Sequence, residues 1–184
     1  MFEINAKLLY QAMTFFKNCG YEFITAPYVV DKKAVEHTLP EGREAYPHAN
    51  YGFYVGSAEQ SIYHILDTVG RKHLPKRCMA ITPCQRNEEV LDESHLEIFL
   101  KIELISFDLG YSHKTIMEDV LDFFKMIGTE NVTYVMQDDN VSYDINVNNI
   151  EVGSYGYRWF NGVLVSYGTG LALPRYSYAV SKGG

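Results

Sequence analysis

Arg86 and Glu88 stand two residues apart, and beyond a short polar loop His95 and Phe99 stand four apart. On an extended strand, residues separated by two or four point to one face. The surrounding residues predict two strands, over 81–86 and 96–107, joined by a loop carrying Glu89, Asp92, Glu93 and Ser94. If these strands pair as a hairpin, a guanidinium, a carboxylate, an imidazole and an aromatic ring share one surface. Arginine binds phosphate through two parallel hydrogen bonds, and phenylalanine can stack on a base. Such a surface suits a nucleotide. An ordinary hairpin with a solvated charged loop is the alternative at this level.

The elements that must position the hairpin follow from periodicity and punctuation. Leu8, Leu9, Ala12, Met13, Phe15 and Phe16 recur at helical spacing, Asn5 can cap the start and Gly20 the end, so a helix is predicted over 5–19. Residues 20–30 are rich in aromatic and β-branched types and predict a strand, with Pro27 pointing to a sheet edge or a strand start. Residues 31–50 lack a period, contain Pro40, Gly42 and Pro47, and read as a surface loop with a short helix. A short strand over 51–56 leads into a helix over 58–69, opened by Ser57 with Gln60 as a capping box. A helix over 114–127 is bounded by Ser112 and Gly128. Strands follow over 132–137, 141–146, 150–155 and 163–167, with a turn at Asp138-Asp139-Asn140. Gly168 to Arg175 then opens a last helix ending near residue 180. There is no repeat, low-complexity stretch or linker. The pattern predicts one α+β domain over 1–184, an antiparallel β-sheet flanked by helices.

Composition narrows the function classes. A chain of 184 residues can bury a proper core, and 47% hydrophobic content excludes disorder. No apolar run reaches membrane-spanning length and no charged-then-apolar leader opens the chain, so a soluble cytoplasmic protein with no membrane partner is expected. Cys19, Cys78 and Cys84 are scattered and odd in number, as reduced thiols are. The net charge of −7 argues against a broad RNA-binding surface, and the one basic cluster, Arg71-Lys72-His73 with Lys76-Arg77, reads as a solvated loop.

Arg86-Asn-Glu88, the variable loop and His95-Leu-Glu-Ile-Phe99 resemble motif 2 of the class II aminoacyl-tRNA synthetases. The first helix, Gly20 and the proline-bearing strand resemble motif 1, which forms the dimer interface in that family. Gly168-Thr-Gly170-Leu-Ala172-Leu-Pro174-Arg175 resembles motif 3. It departs in Ala172, at a position for a third small residue, and in Pro174, where a glutamate usually buttresses the arginine. Ser57-Ala58-Glu59 resembles the Thr/Ser-x-Glu loop whose glutamate holds the substrate amino group. Glu151-Val-Gly-Ser154 matches the Glu-x-x-Ser that holds ATP-bound magnesium in pyrrolysyl enzymes, and phenylalanyl enzymes carry a similar Glu-Val-Gly. The resemblance spans nearly the whole chain, is most specific over 84–99 and 151–175, and is nearest to the pyrrolysyl and phenylalanyl branch. No anticodon-binding domain or N-terminal RNA module is recognisable.

The resemblance implies ATP-dependent activation of an amino acid as its adenylate, by a minimal catalytic core that forms a homodimer. Arg86 would hold the α-phosphate and the substrate carboxylate, Glu88 the adenine amino group, and Phe99 the ring. His95 and Arg175 would steady the γ-phosphate. Glu151 and Ser154 would carry Mg2+, as hard oxygen ligands suit that ion. A three-residue spacing on a regular strand puts them on opposite faces, so a bulge is expected at Gly153. Gly168 and Gly170 would let backbone approach the ligand. Glu103, four residues beyond Phe99, is the better candidate for the substrate ammonium, ahead of Glu59. Cys84 matches a zinc-ligand position of seryl-type relatives, but Gly168 stands where a further cysteine is needed, so no structural zinc is expected. Two alternatives accompany this reading: a non-catalytic paralogue binding a nucleotide or amino acid as a regulatory subunit, and a ligase that passes the amino acid to an acceptor other than tRNA.

Overall fold

The computed structural model of the chain describes residues 4–39, 42–87, 91–92 and 96–183. Along the chain run α1 (Ala6–Asn18), β1 (Glu22–Phe23), β2 (Val29–Val30), α2 (Lys32–Glu36), β3 (Phe53–Tyr54), α3 (Ala58–Thr68), a 3-10 turn (Arg71–His73), β4 (Arg77–Gln85), β5 (Ile98–Ser106), α4 (His113–Met126), β6 (Val132–Met136), β7 (Tyr143–Val147), β8 (Ile150–Phe160), β9 (Val163–Leu173) and α5 (Arg175–Ser181). The main sheet has the order β1-β4-β5-β9-β8-β7-β6. Only the β1–β4 pair is parallel; the other five pairs are antiparallel.

Local chemistry sets the ends of the elements. The Asn5 side chain accepts from the Leu8 N–H and caps α1. Gly20 then takes a φ of +89°, and the N–H groups of Gly20 and Tyr21 close back on the carbonyls of Lys17 and Phe16. The same closure ends α4, where Gly128 has a φ of +75°. Asn148-Asn149 and Asn161-Gly162 are two-residue turns with positive φ at both positions, the geometry that suits tight hairpins.

One face of the sheet is covered by α1, α4 and α5. Phe16, Ile102, Leu104, Phe123, Tyr155 and Leu171 interlock there. Burying one such side chain stabilises by roughly 1.5–3 kcal/mol. On the other face α3 packs Ile62 and Tyr63 over Cys78, Ile105 and Val165, near one end only. Further along, that face bears Phe99, Lys101 and the buried Glu103, whose register partners on β4 are Cys84, Thr82 and Ala80.

Several sequence expectations need correction. Residues 20–30 form two short strands in different sheets, because Pro27 lacks an N–H to continue one ladder. The strand over 51–56 shrinks to Phe53–Tyr54. β8 and β9 each run for 11 residues, well beyond 150–155 and 163–167, because the Asn161-Gly162 turn lets both strands continue to it. Gly168 to Leu173 therefore lies in β9, not in a strand–helix turn. Ser112 occupies the α4 cap position without a side-chain bond. The capping box at α3 is displaced by one residue. Ser57 Oγ accepts from the Glu59 N–H at 3.2 Å, and Gln60 Oε1 accepts from the Gly56 N–H at 2.7 Å.

Candidate active site

Two cavities lie side by side on the sheet face opposite α1, α4 and α5. The first, about 150 Å³, is lined by Arg86, Phe99, Lys101, Glu151, Ser154 and Arg175, among others. The second, about 370 Å³, lies under α3 and the segment around Tyr46, and its lining includes Thr38, Glu59, Gln60, Arg158 and Tyr167. Arg86, Lys101 and Ser154 line both and form the seam between them.

Arg86 follows the last residue of β4. Its N–H donates to the Glu97 carbonyl at 3.0 Å, and its Nε donates to the Gly56 carbonyl at 3.0 Å. Its guanidinium lies 5.0 Å from the centre of the Phe99 ring. The loop before α3 thus fixes the arginine over the aromatic residue, a cation–π arrangement. Glu88 and His95, the other motif 2 positions, lie outside the described residues.

The geometry of β8 brings Glu151 and Ser154 together. Asn146 is opposite Glu151 and Asp144 opposite Ser154, and the register shifts between them at Val152-Gly153. This bulge is the device the spacing required: it turns a three-residue separation onto one face. Glu151 Oε1 is 3.9 Å from Arg175 Nη1, at the first residue of α5. Asp144 was missed by sequence reading. It bonds Ser154 and Gln137, and burial, then the charge of Glu151, push its carboxyl above the ordinary range. Only the β7–β8 register reveals its place, so the sequence carried no local signal for it.

The two glutamates considered for a substrate ammonium are held differently. Glu59 is buried and spent: Arg158 Nη1 contacts its two oxygens at 2.8 and 3.0 Å, and the Tyr63 hydroxyl donates to Oε1. Burial opposes the Arg158 charge, but Glu59 more than compensates and holds the guanidinium above its ordinary range. Arg158 also lies 4.5 Å from the Tyr167 ring centre. Glu103 is 1% exposed; its Oε2 accepts from Ser57 Oγ and lies 2.8 Å from Lys101 Nζ. Its Oε1 is buried with no hydrogen-bond partner among the described residues. Lys101 and Arg158 were also missed. A parity signal existed for both, since Lys101 alternates with Phe99 and Glu103, and Arg158 with Ser154.

Gly168 and Gly170 correct the sequence reading. Neither lines either of these two cavities. A Cβ on Gly168 would stand 2.3 Å from Tyr155 Cδ1, and one on Gly170 2.9 Å from Phe16 Cε2. Both glycines face the helices, and they are small so that core rings can pack onto β9.

Among the described residues no group of three or more His, Cys, Asp or Glu could hold a metal ion. Glu151 and Ser154 nonetheless offer two hard oxygen donors on one face, facing a cavity, which fits an ion that takes its other ligands from phosphate and water.

The arrangement has solved counterparts. A pyrrolysyl-tRNA synthetase of Desulfitobacterium hafniense superimposes with a TM-score of 0.73 at 16% identity, over 96% of this chain and 68% of that one. A second structure of the pyrrolysyl enzyme from that organism gives 0.74 at 15% identity, over 96% and 69%. The ATP complex of seryl-tRNA synthetase from Pyrococcus horikoshii gives 0.72 at 16% identity, over 94% of this chain and 48% of that one. The fold is that of a class II aminoacyl-tRNA synthetase catalytic domain. At these identities the class II likeness is one of fold. No protein-family model matches the chain, and no curated protein matches it in sequence.

Proposed function

We propose that this chain activates an amino acid as its adenylate at the expense of ATP. The observation that carries the reading is the seam, where Arg86 stands between a cavity bearing Phe99, Glu151, Ser154 and Arg175 and a larger second cavity whose lining includes Glu59, Gln60 and Arg158. ATP would occupy the first cavity and the amino acid the second. The seryl counterpart, solved with ATP, supports ATP as the nucleotide.

In this reading a carboxylate oxygen of the amino acid attacks the α-phosphorus in line, and the bond from that phosphorus to the pyrophosphate oxygen breaks. The carboxylate is already an anion, so no general base is needed, and catalysis lies in positioning and charge neutralisation. Arg86 would leave the Phe99 ring for the α-phosphate as adenine stacks on that ring. Arg175 would hold the γ-phosphate, with the resemblance assigning Glu88 to adenine and His95 to the γ-phosphate. Glu151 and Ser154 would hold magnesium, which when bound neutralises phosphate charge and orients the leaving pyrophosphate. Glu103, with one buried oxygen lacking a partner among the described residues, is a better receptor for the ammonium than Glu59, which Arg158 already engages.

The test is exchange of labelled pyrophosphate into ATP across the standard amino acids with magnesium. At least one amino acid should support exchange. If none does, the non-catalytic paralogue is the better account, and Pro174 in place of the usual glutamate favours it. Where exchange occurs, an acceptor screen separates tRNA from a protein or small molecule; the net charge of −7 favours the latter. A single catalytic domain over 1–184, working as a homodimer, belongs to the same proposal.

A further inference from the structure

We propose that Lys101 receives the carboxylate of the amino-acid substrate, so that Lys101 and Glu103 together read the substrate as a dipolar ion. This rests on the adenylation reading and adds a residue to it.

The argument begins with charge. The carboxylate and the α-phosphate are both anions, and adenylation brings them into bonding distance. A guanidinium can contact both, but it brings a single positive charge against two anions. Of the three residues that line both cavities, two are cations, Arg86 and Lys101. A molecule crossing from one cavity to the other, as an aminoacyl adenylate does, must pass them. Arg86 sits on the Phe99 side, 5.0 Å from that ring. Lys101 sits one alternation further along β5, opposite Thr82 on β4 and Ala172 on β9.

The second line is how Lys101 is held. Its side chain is 11% exposed, and Nζ lies 2.8 Å from Glu103 Oε2. An ammonium has three donors, and this contact uses one. Among the described residues, the pair therefore fixes the lysine without exhausting it. Glu103 is in the complementary state: Oε2 is engaged by Ser57 and Lys101, while Oε1 is buried with no partner among the described residues. A buried oxygen without a partner costs free energy that an incoming donor recovers. A substrate ammonium at Oε1 and a carboxylate at Nζ place the two charges of an α-amino acid on side chains two residues apart on one strand face. Glu59 cannot take this part, since Arg158 and Tyr63 hold it.

A purely structural lysine, present only to neutralise Glu103, is the competing account. The amino alcohol of whichever amino acid supports exchange separates them, because it keeps the ammonium and side chain and lacks the carboxylate. In Lys101→Met, exchange should fall by about 10²–10³-fold, as on losing one charge-stabilising donor. The KM for the amino acid should rise while the Ki of the amino alcohol stays within about threefold of wild type. If Lys101→Met does not fold, Lys101→Gln, which keeps a donor for Glu103, carries the same comparison. Wild-type exchange in the variant overturns the proposal, as does an equal loss for acid and alcohol, which would make the lysine structural. A wild type without exchange on any amino acid overturns the adenylation reading itself, and this proposal with it.

Discussion

Arg86 and Glu151 both line the first cavity, and their surroundings predict different failures. Arg86 is half-buried at the end of a strand, and among the described residues its hydrogen bonds go to the backbone carbonyls of Glu97 and Gly56. Arg86→Ala should lower pyrophosphate exchange by about 10²–10³-fold, the cost of one preorganised donor aimed at developing charge. Its thermal unfolding midpoint should stay close to wild type; full exchange in the variant would remove Arg86 from the chemistry. Glu151 is half-exposed, 3.9 Å from Arg175, and displayed by the bulge. Glu151→Gln keeps the shape and removes the charge. It should weaken ATP binding in calorimetry only when magnesium is present. An equal loss with and without the metal would mean that Glu151 supports the fold instead of the ion.

β9 is the element on which the two faces of the sheet make opposite demands. Thr169 and Ala172 line the first cavity, whereas Gly168 and Gly170 meet the helices. The glycines are therefore explained by packing, and Gly168→Ala tests it. The added methyl would stand 2.3 Å from Tyr155 Cδ1 and 2.8 Å from Ile116 Cγ2, both in the closely packed core. Overpacking of this kind costs about 1–3 kcal/mol. The urea midpoint should drop accordingly while the KM for ATP is unchanged. A normal midpoint with a raised KM would return Gly168 to the ligand-approach role.

At the scale of the molecule, both outer strands of the sheet carry exposed apolar side chains, Tyr134, Val135 and Met136 on β6 and Phe23 on β1, and β1 lies in the stretch that resembles the dimer element. β1 presents Phe23 at 52% exposure, and Tyr10 of the adjoining α1 is 71% exposed. A sheet edge with exposed aromatic residues invites pairing. We expect a homodimer through α1 and β1. Sedimentation at micromolar concentration should show a dimer that Tyr10→Glu with Phe23→Asp converts to monomer. A wild type that sediments only as monomer would remove this expectation.

Much of the site was legible in the residues themselves. Alternation along a strand is a local property, so Phe99 and Glu103 could be placed on one face before any pairing was known. Asn5 and Gly20 bound α1 through contacts within a few residues, which is why their roles were readable. The need for a bulge at Gly153 followed from the three-residue spacing of Glu151 and Ser154. Other features depended on partners distant in sequence. Glu59 and Arg158 are 99 positions apart, so no local pattern could show that Glu59 is already spent. Asp144 joins Ser154 only through the β7–β8 register. The glycines of β9 looked like ligand-facing residues because a missing side chain reads the same on either face. Which face a strand turns to the core is decided by the helices that cover it, and helix placement is settled by burial summed over the whole chain.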